Sequence, residues 1–424
     1  MIRFLIKGLM RDRHRSLFPI IIVSFGVLLT TVLYSFISGE LNDLIDSNAR
    51  FDTGHLKIMT RLYDSLASQM PNDLALTGAE NLMLLLKNKY PDYDWTARIK
   101  FVGLLDVPDE NGETKTQNPI FGLAVNLLGK NSMENERLNL GKSIVRGRMP
   151  EKSREILISE EFAQRMNTSI GHPITLLSTT SSGAMAVQNF IVCGTVKFGV
   201  ATMDRGAMIT DISDIQYTLE MPNGASEILG FNKSKFYNPV DAGKIKMDFN
   251  SQFSQADNQY SPLMVTLEDQ NGLGEYLDYI NTVGFLIVGI FLVAMSVVLL
   301  NTGLMSGIRR YGEVGVRLAL GEAKNHIYQS MLYESVLIGF AGSVIGTGFG
   351  LAIAFYLQEY GIDITETLRT TSIMMSNILR ARISVASFYI GFIPGLLATL
   401  IGTAFSGIQI FQRQTASLFK ELEV

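Results

Sequence analysis

Long apolar runs and polar blocks alternate along the chain. Ser16 to Gly39, Tyr279 to Ile308, Ser335 to Leu357 and Ile383 to Gln412 contain no charged side chain. The hydrocarbon layer of a bilayer is ~30 Å thick and roughly 20 helical residues cross it, so each run is long enough to span. Pro394 interrupts the last run and predicts a kink there. Ahead of the first run, Ile2, Leu5, Ile6, Leu9 and Met10 recur at helical spacing among Arg3, Lys7, Arg11, Arg13 and Arg15, the pattern of an amphipathic helix on a membrane surface. The first run is too long for the apolar core of a cleaved leader, about 7–15 residues, and is read as a retained helix.

Residues 40–275 hold no run of membrane length. Strands are predicted at Thr53 to Thr60, where His55, Lys57 and Met59 alternate with their neighbours, and at Glu155 to Ser159, Phe190 to Val196 and Gly206 to Thr210. Helical patterns occupy Gly78 to Lys89 and Glu160 to Met166, with loops at Pro108 to Asn118 and Thr179 to Gly183. The expected fold class is an α-helical membrane protein with four transmembrane helices and a large mixed α+β extracytoplasmic domain inserted between helices 1 and 2. The segments run as a cytoplasmic amphipathic helix (1–15), helix 1 (16–39), the extracytoplasmic domain (40–275), helix 2 (277–308), a cytoplasmic helix or loop (309–328), helix 3 (329–357), a short external loop (358–382), helix 4 (383–412) and a cytoplasmic tail (413–424). Arg309, Arg310, Arg317 and Lys324 set the orientation by the positive-inside tendency, against which Arg369, Arg380 and Arg382 in the external loop run contrary.

Composition narrows the function. At 47% hydrophobic and 18% charged residues, the chain is too apolar for an ordinary soluble enzyme and too polar to lie wholly in a membrane. A net charge of −4 argues against a nucleic-acid partner. The one cysteine, Cys193, cannot form an internal disulfide. Gly141-Lys142-Ser143 matches the end of a phosphate-binding loop, but the position that requires the first glycine is Glu136. His14, His55, His172 and His326 are scattered and form no metallopeptidase motif, and the spans lack the carboxylates or histidines of an ion relay. No catalytic or metal site is expected, and the power source lies in another protein.

Two groups of residues stand out. Gly342, Gly346 and Gly350, with Gly339 nearby, fall on one face of the third span, where small side chains allow close helix approach within this subunit or against a partner permease. The segment from Arg309 to Lys324 joins basic residues to the apolar group Val314, Val316, Leu318 and Leu320. Composition leaves two readings, an ordinary connecting loop or a short helix that docks in another protein's groove.

The residues Arg310, Glu313, Val314, Gly315, Arg317, Ala319, Leu320 and Gly321, followed by Ile327, Glu334 and the recurrent glycines, resemble the signature of the FtsX-like permeases, the membrane subunits of MacB-type and lipoprotein-releasing (LolC-LolE type) ABC transporters. Gly147-Arg148-Met149-Pro150, Glu155-Ile156-Leu157-Ile158-Ser159, Ala163, Gly171 and Ile174-Thr175-Leu176 resemble that family's external domain. Glu322 stands where the family usually has Ala. The resemblance implies a non-enzymatic permease of the mechanotransmission type in a bacterial inner membrane, paired with a second permease, identical or homologous, and with cytoplasmic ATPase subunits that hold the ATP and Mg. It implies that Arg309, Arg310, Glu313, Val314, Val316, Arg317, Leu320 and Gly321 contact the ATPase. It further implies a two-lobed periplasmic domain, one lobe from both ends of the insert and the other from about Ser143 to Leu229. Lipoprotein cargo lifted from the membrane is the expectation, favoured by the lack of an attached ATPase domain. MacB-like export of drugs or peptides and FtsX-like control of a cell-wall hydrolase are the alternatives.

Overall fold

A computed structural model describes residues 13–109, 113–199, 201–234, 237–308, 311–363 and 378–412. The chain divides into a helical unit, built on residues up to 42, 279–362 and from 378 onward, and an α+β unit built on 43–278. In chain order the principal helices are α1 (Arg13–Asn48), α2 (Ala79–Lys89), α3 (Glu160–Met166), α4 (Pro239–Phe253), α5 (Leu273–Ile308), α6 (Tyr311–Ala319), α7 (Lys324–Tyr360) and α8 (Phe392–Gln412). The expected surface helix at 1–15, apart from its last residues, and the tail 413–424 lie outside the described residues, as does most of the loop 358–382.

Among the described residues, four stretches are long and apolar enough to cross a membrane: Leu17–Thr53, Leu273–Asn301, Lys324–Tyr360 and Val385–Ile408. The helices outrun the apolar runs. At 1.5 Å per residue the 36 residues of α1 extend roughly 54 Å, well past a ~30 Å layer. Its continuation through Glu40-Leu41-Asn42 contains good helix formers and no proline. The kink expected at Pro394 is absent. Helix α8 begins at Phe392 instead, which puts Pro394 in the first turn, where backbone N–H groups need no intrahelical acceptor. The residues ahead of it form a short 3-10 turn, Val385–Phe388, closed by a reciprocal Ser384–Ser387 capping box.

Glycine decides how closely these helices meet. A Cβ at Gly342 would lie 2.7 Å from Val23 Cβ, and at Gly350 2.9 Å from Thr31 Cβ, while at Gly346 it would collide with the Ser24 carbonyl, all on α1. Gly339 instead faces Thr399 and Leu396 of α8. The glycine face of α7 is therefore occupied by helices of its own chain.

The α+β unit is built on a ten-stranded sheet. Its strands are β1 (Leu56–Thr60), β2 (Tyr93–Pro108), β3 (Thr114–Val125), β4 (Ile144–Gly147), β5 (Glu155–Ser159), β6 (Pro173–Thr179), β7 (Met185–Val196), β8 (Ala207–Asp211), β9 (Glu227–Asn232) and β10 (Pro262–Thr266). The order is β10-β1-β9-β2-β3-β8-β5-β7-β4, with β6 bridging β2 and β7. The 16-residue β2 is long enough, roughly 53 Å at 3.3 Å per residue, to serve two cores. Tyr93, Trp95 and Ala97 pack with Leu56, Ile228 and Phe249, elements from both ends of the insert. Ile99, Phe101, Leu105 and Val107 pack with Ile156, Phe162, Phe190 and Met208. The second core thus begins inside β2 rather than near Ser143, and β9, which carries Leu229, goes with the first through Ile228 and its pairing with β1. The loop expected at Pro108 to Asn118 is shorter than the sequence predicts, since Thr114 already opens β3. The strand expected over Thr53 to Thr60 starts only at Leu56, and its alternation fails: all five residues of β1 are buried, because both faces are covered, Leu56 and Ile58 by the cluster with Leu86 and Phe249, and Met59 by the cluster with Tyr63 and Leu74.

Burying β1 buries Lys57. Its ammonium lies 3.1 Å from Glu227, and Lys100 of β2 reaches the other oxygen of that carboxylate at 3.0 Å. Asp52, in the π-helical turn Ala49–Thr53 that follows α1, pairs with both lysines. Burial alone would lower the Lys100 pKa, but Asp52 and Glu227 reverse this and hold it above the ordinary lysine range. Beside this group, Arg98 donates to the Arg50 carbonyl at 2.7 Å and pairs with Glu134 at 2.9 Å. Asn271 donates to Asp52 at 2.8 Å and Gln270 to the Thr53 carbonyl at 3.3 Å. The segment leaving α1 and the segment entering α5 are therefore fastened to the same central strands.

Two outcomes are expected. Gly346→Val lowers thermal stability of the detergent-solubilised chain by about 1–3 kcal/mol, since the obstacle is backbone that cannot rotate away, whereas Gly348→Val, with open space around it, leaves the melting temperature nearly unchanged. Glu227→Gln strands two buried ammonium groups on a single carboxylate and destabilises by about 3–5 kcal/mol, while the double replacement Glu227→Leu with Lys57→Met loses clearly less. Denaturation curves of the single and double variants compare the two directly.

Candidate functional site

The segment between α5 and α7 forms a helix, α6, and a tight turn. Of its expected site residues, Arg309 and Arg310 lie outside the described residues, and Glu313 is placed only as a helical position. Val314 is 2% exposed and packs with Ile327 and Met331 of α7, with Leu318 against the same cluster. It faces its own chain, so it drops out of the expected ATPase-contact group; apolar side chains at i and i+4 of a short helix share the face that docks on the neighbouring helix. Val316 and Leu320 point the other way, 48% and 83% exposed.

Gly321 closes the helix. Its φ of +87° is a left-handed conformation that glycine adopts without Cβ strain. The Gly321 N–H donates to the Leu318 carbonyl at 3.0 Å and the Glu322 N–H to the Arg317 carbonyl at 3.1 Å, the paired bonds of a Schellman cap. Gly321 therefore shapes the turn, and no neighbour crowds it.

Glu322 fixes the turn from the side. Arg317 grips its carboxylate with two bonds, Nε at 2.6 Å and Nη2 at 2.7 Å, and donates to Ser330 on α7 at 3.3 Å. His326 Nδ1 meets the same carboxylate at 2.6 Å. The Arg317 bonds, then His326, pull the Glu322 carboxyl down to about 2, so it is ionised at neutral pH. Arg317 is accordingly a clamp within the segment. This role was missed in the sequence, where Glu322 registers only as a departure from the family's Ala. The available signal was two opposite charges astride a glycine turn. The result is a short amphipathic helix, fastened along one face to α7, with two apolar side chains held outward.

In the α+β unit the signature residues also have local causes. Arg148 and Glu155 form a two-bond ion pair, with Nη1 to Oε2 at 2.8 Å and Nη2 to Oε1 at 2.5 Å. The N–H of Glu151 adds a bond at 2.8 Å and that of Lys152 one at 3.2 Å. Bonding from Arg148 outweighs partial burial and draws the Glu155 carboxyl down to about 2. This closes the turn from β4 to β5, and it is structural. Among the described residues no group of His, Cys, Asp or Glu is arranged to hold a metal ion.

Residues 285–415 match the FtsX-like permease C-terminal family. The lipoprotein-releasing system transmembrane protein LolC of Haemophilus influenzae is 22% identical over 280 residues, 64% of this chain and 65% of that protein. The macrolide export ATP-binding/permease protein MacB of Neisseria gonorrhoeae is 29% identical over 105 residues, 25% of this chain and 16% of that protein. The periplasmic region of MacB from Actinobacillus actinomycetemcomitans superposes on 52% of this chain and 92% of its own, with a TM-score of 0.36 and 10% identity. The chain spans less than two thirds of the length of these curated relatives. Residues 285–415 thus carry an FtsX-like permease C-terminal domain, and the chain is similar to LolC and MacB.

Proposed function

We propose that this chain is the permease subunit of an ABC transporter of the mechanotransmission type. It passes motion of a partner ATPase, which holds the ATP and Mg, to an α+β domain on the far side of the membrane. The observation that carries the reading is α6: a clamped, capped helix with Val316 and Leu320 exposed is a rigid contact surface rather than a slack connection. The contact group becomes Val316 and Leu320, framed by Glu313 and the basic residues Arg309 and Arg310. Val314, Arg317 and Gly321 hold the helix in place. The positive charge around α6 supports a cytoplasmic position for it, with residues 43–278 periplasmic in an inner-membrane protein.

A second permease, identical or homologous, and surrounding lipid complete the assembly, with no nucleic acid. Release of lipoproteins from the membrane is the favoured activity, since the LolC similarity covers more of the chain than the MacB similarity does. The shorter MacB match, at higher identity, supports export of periplasmic drugs or peptides as the second reading. Depletion separates them: lipoproteins retained at the inner membrane support the first, and drug or peptide sensitivity without such retention supports the second.

Leu320→Arg is expected to cut ATPase co-purification at least tenfold, because a guanidinium enters an apolar groove without a partner, while the Val314-centred packing survives. Retained ATPase at wild-type levels with a folded permease would overturn the contact assignment.

A further inference from the structure

Over 101–107, 174–177 and 185–191, strands β2, β6 and β7 alternate between two faces. Phe101, Leu105, Ile174, Leu176 and Phe190 turn inward to the second core. The residues between them turn outward, and many are apolar. Leu104, Leu177 and Val187 lie directly opposite one another across the three strands, so their side chains share one face. One same-face step along, Met185 is 72% exposed and Val102 53%; two steps the other way, Ile191 is 49% exposed. Apolar side chains thus predominate on one side of the sheet, with Thr179 opposite Met185, and this is unusual for a water-exposed unit.

One charge interrupts it. Asp106 pairs in register with Thr175, and Thr175 with Asn189, which makes a polar row between Ile191 and the Leu104 row. Thr175 donates to Asn189 at 2.9 Å, so those two satisfy each other, and one oxygen of the Asp106 carboxylate is buried without a hydrogen-bond partner.

That carboxylate selects among possible occupants. A second copy of the same face would bring a like charge toward it. An acyl chain would cover the apolar side chains but leave the carboxylate desolvated with nothing to pair, an unfavourable burial. A peptide with one basic side chain between apolar ones satisfies both surfaces. We propose that the outward face of β2, β6 and β7 docks an extended peptide segment with apolar, basic, apolar and apolar side chains at alternate positions, its lysine or arginine paired with Asp106. The spacing follows from the sheet, whose same-face residues recur every second position. The inference stands apart from the ATPase contact at α6 and does not require it.

The test uses the full chain in nanodiscs and a fluorescein-labelled nine-residue peptide with isoleucine, lysine, valine and leucine at alternate positions and serine or threonine between them. A second peptide carries norleucine for lysine. Anisotropy should show the lysine peptide bound on the order of tenfold more tightly than the norleucine peptide. Asp106→Asn should abolish that preference, and Val187→Ser should weaken both peptides. The norleucine comparison leaves the protein unaltered, so a misfolded variant cannot mimic the result. Equal binding of the two peptides, or an unchanged preference in Asp106→Asn, overturns the proposal. So does displacement of both peptides by palmitate to the same extent, which identifies a lipid surface. Dissociation of a dimer by Val187→Asp in sedimentation, with neither peptide bound by the wild-type chain, overturns it in favour of a second copy.

Discussion

Charge removed from water must find an opposite charge or a full set of hydrogen bonds, and this requirement arranges most of the molecule. The four uncharged runs satisfy it by exclusion: their helices bond the backbone groups between their ends internally and carry almost nothing that needs solvation. Among the described residues, buried charge is confined to the α+β unit, and its main concentration lies where the chain leaves α1 and returns toward α5. There Asp52, Lys57, Lys100 and Glu227 neutralise one another within three central strands and a π-helical turn.

Within the helical unit, packing rather than electrostatics does the holding. Apolar helices in lipid gain little from hiding greasy side chains, so close contact depends on small residues and dispersion. Gly342, Gly346 and Gly350 admit the α1 backbone and Gly339 admits α8, which gives three helices a shared interior. Helix α5 is different. Its long apolar side chains Phe285, Ile290 and Val293 are exposed, as suits a surface that meets an apolar medium.

The α6 turn combines both principles at small scale. Val314 and Leu318 dock on α7 by apolar contact, and the Arg317–Glu322–His326 group fixes the turn by charge. Because the fastening uses one face only, the opposite face is presented in a fixed orientation. That division of labour among adjacent residues, invisible to composition, is what changes the segment from a connecting loop into a surface.

The sequence by itself determined the four apolar runs, the α+β character of the polar block and the family resemblance, because these depend on local quantities: run length, residue type and motif spacing. It identified the helix at Glu160 to Met166 and the strand at Glu155 to Ser159 for the same reason. Only the tertiary structure decided that Lys57 lies inside the sheet, since its partners Asp52 and Glu227 come from the preceding turn and another strand, and Lys100 of a third element shares both carboxylates. It also decided that β2 serves two cores and that Val314 turns inward while Val316 and Leu320 turn out. Helical spacing predicts an amphipathic segment but not which face a neighbour will cover; that depends on where α7 runs, and the choice is made by contacts between residues distant in the chain.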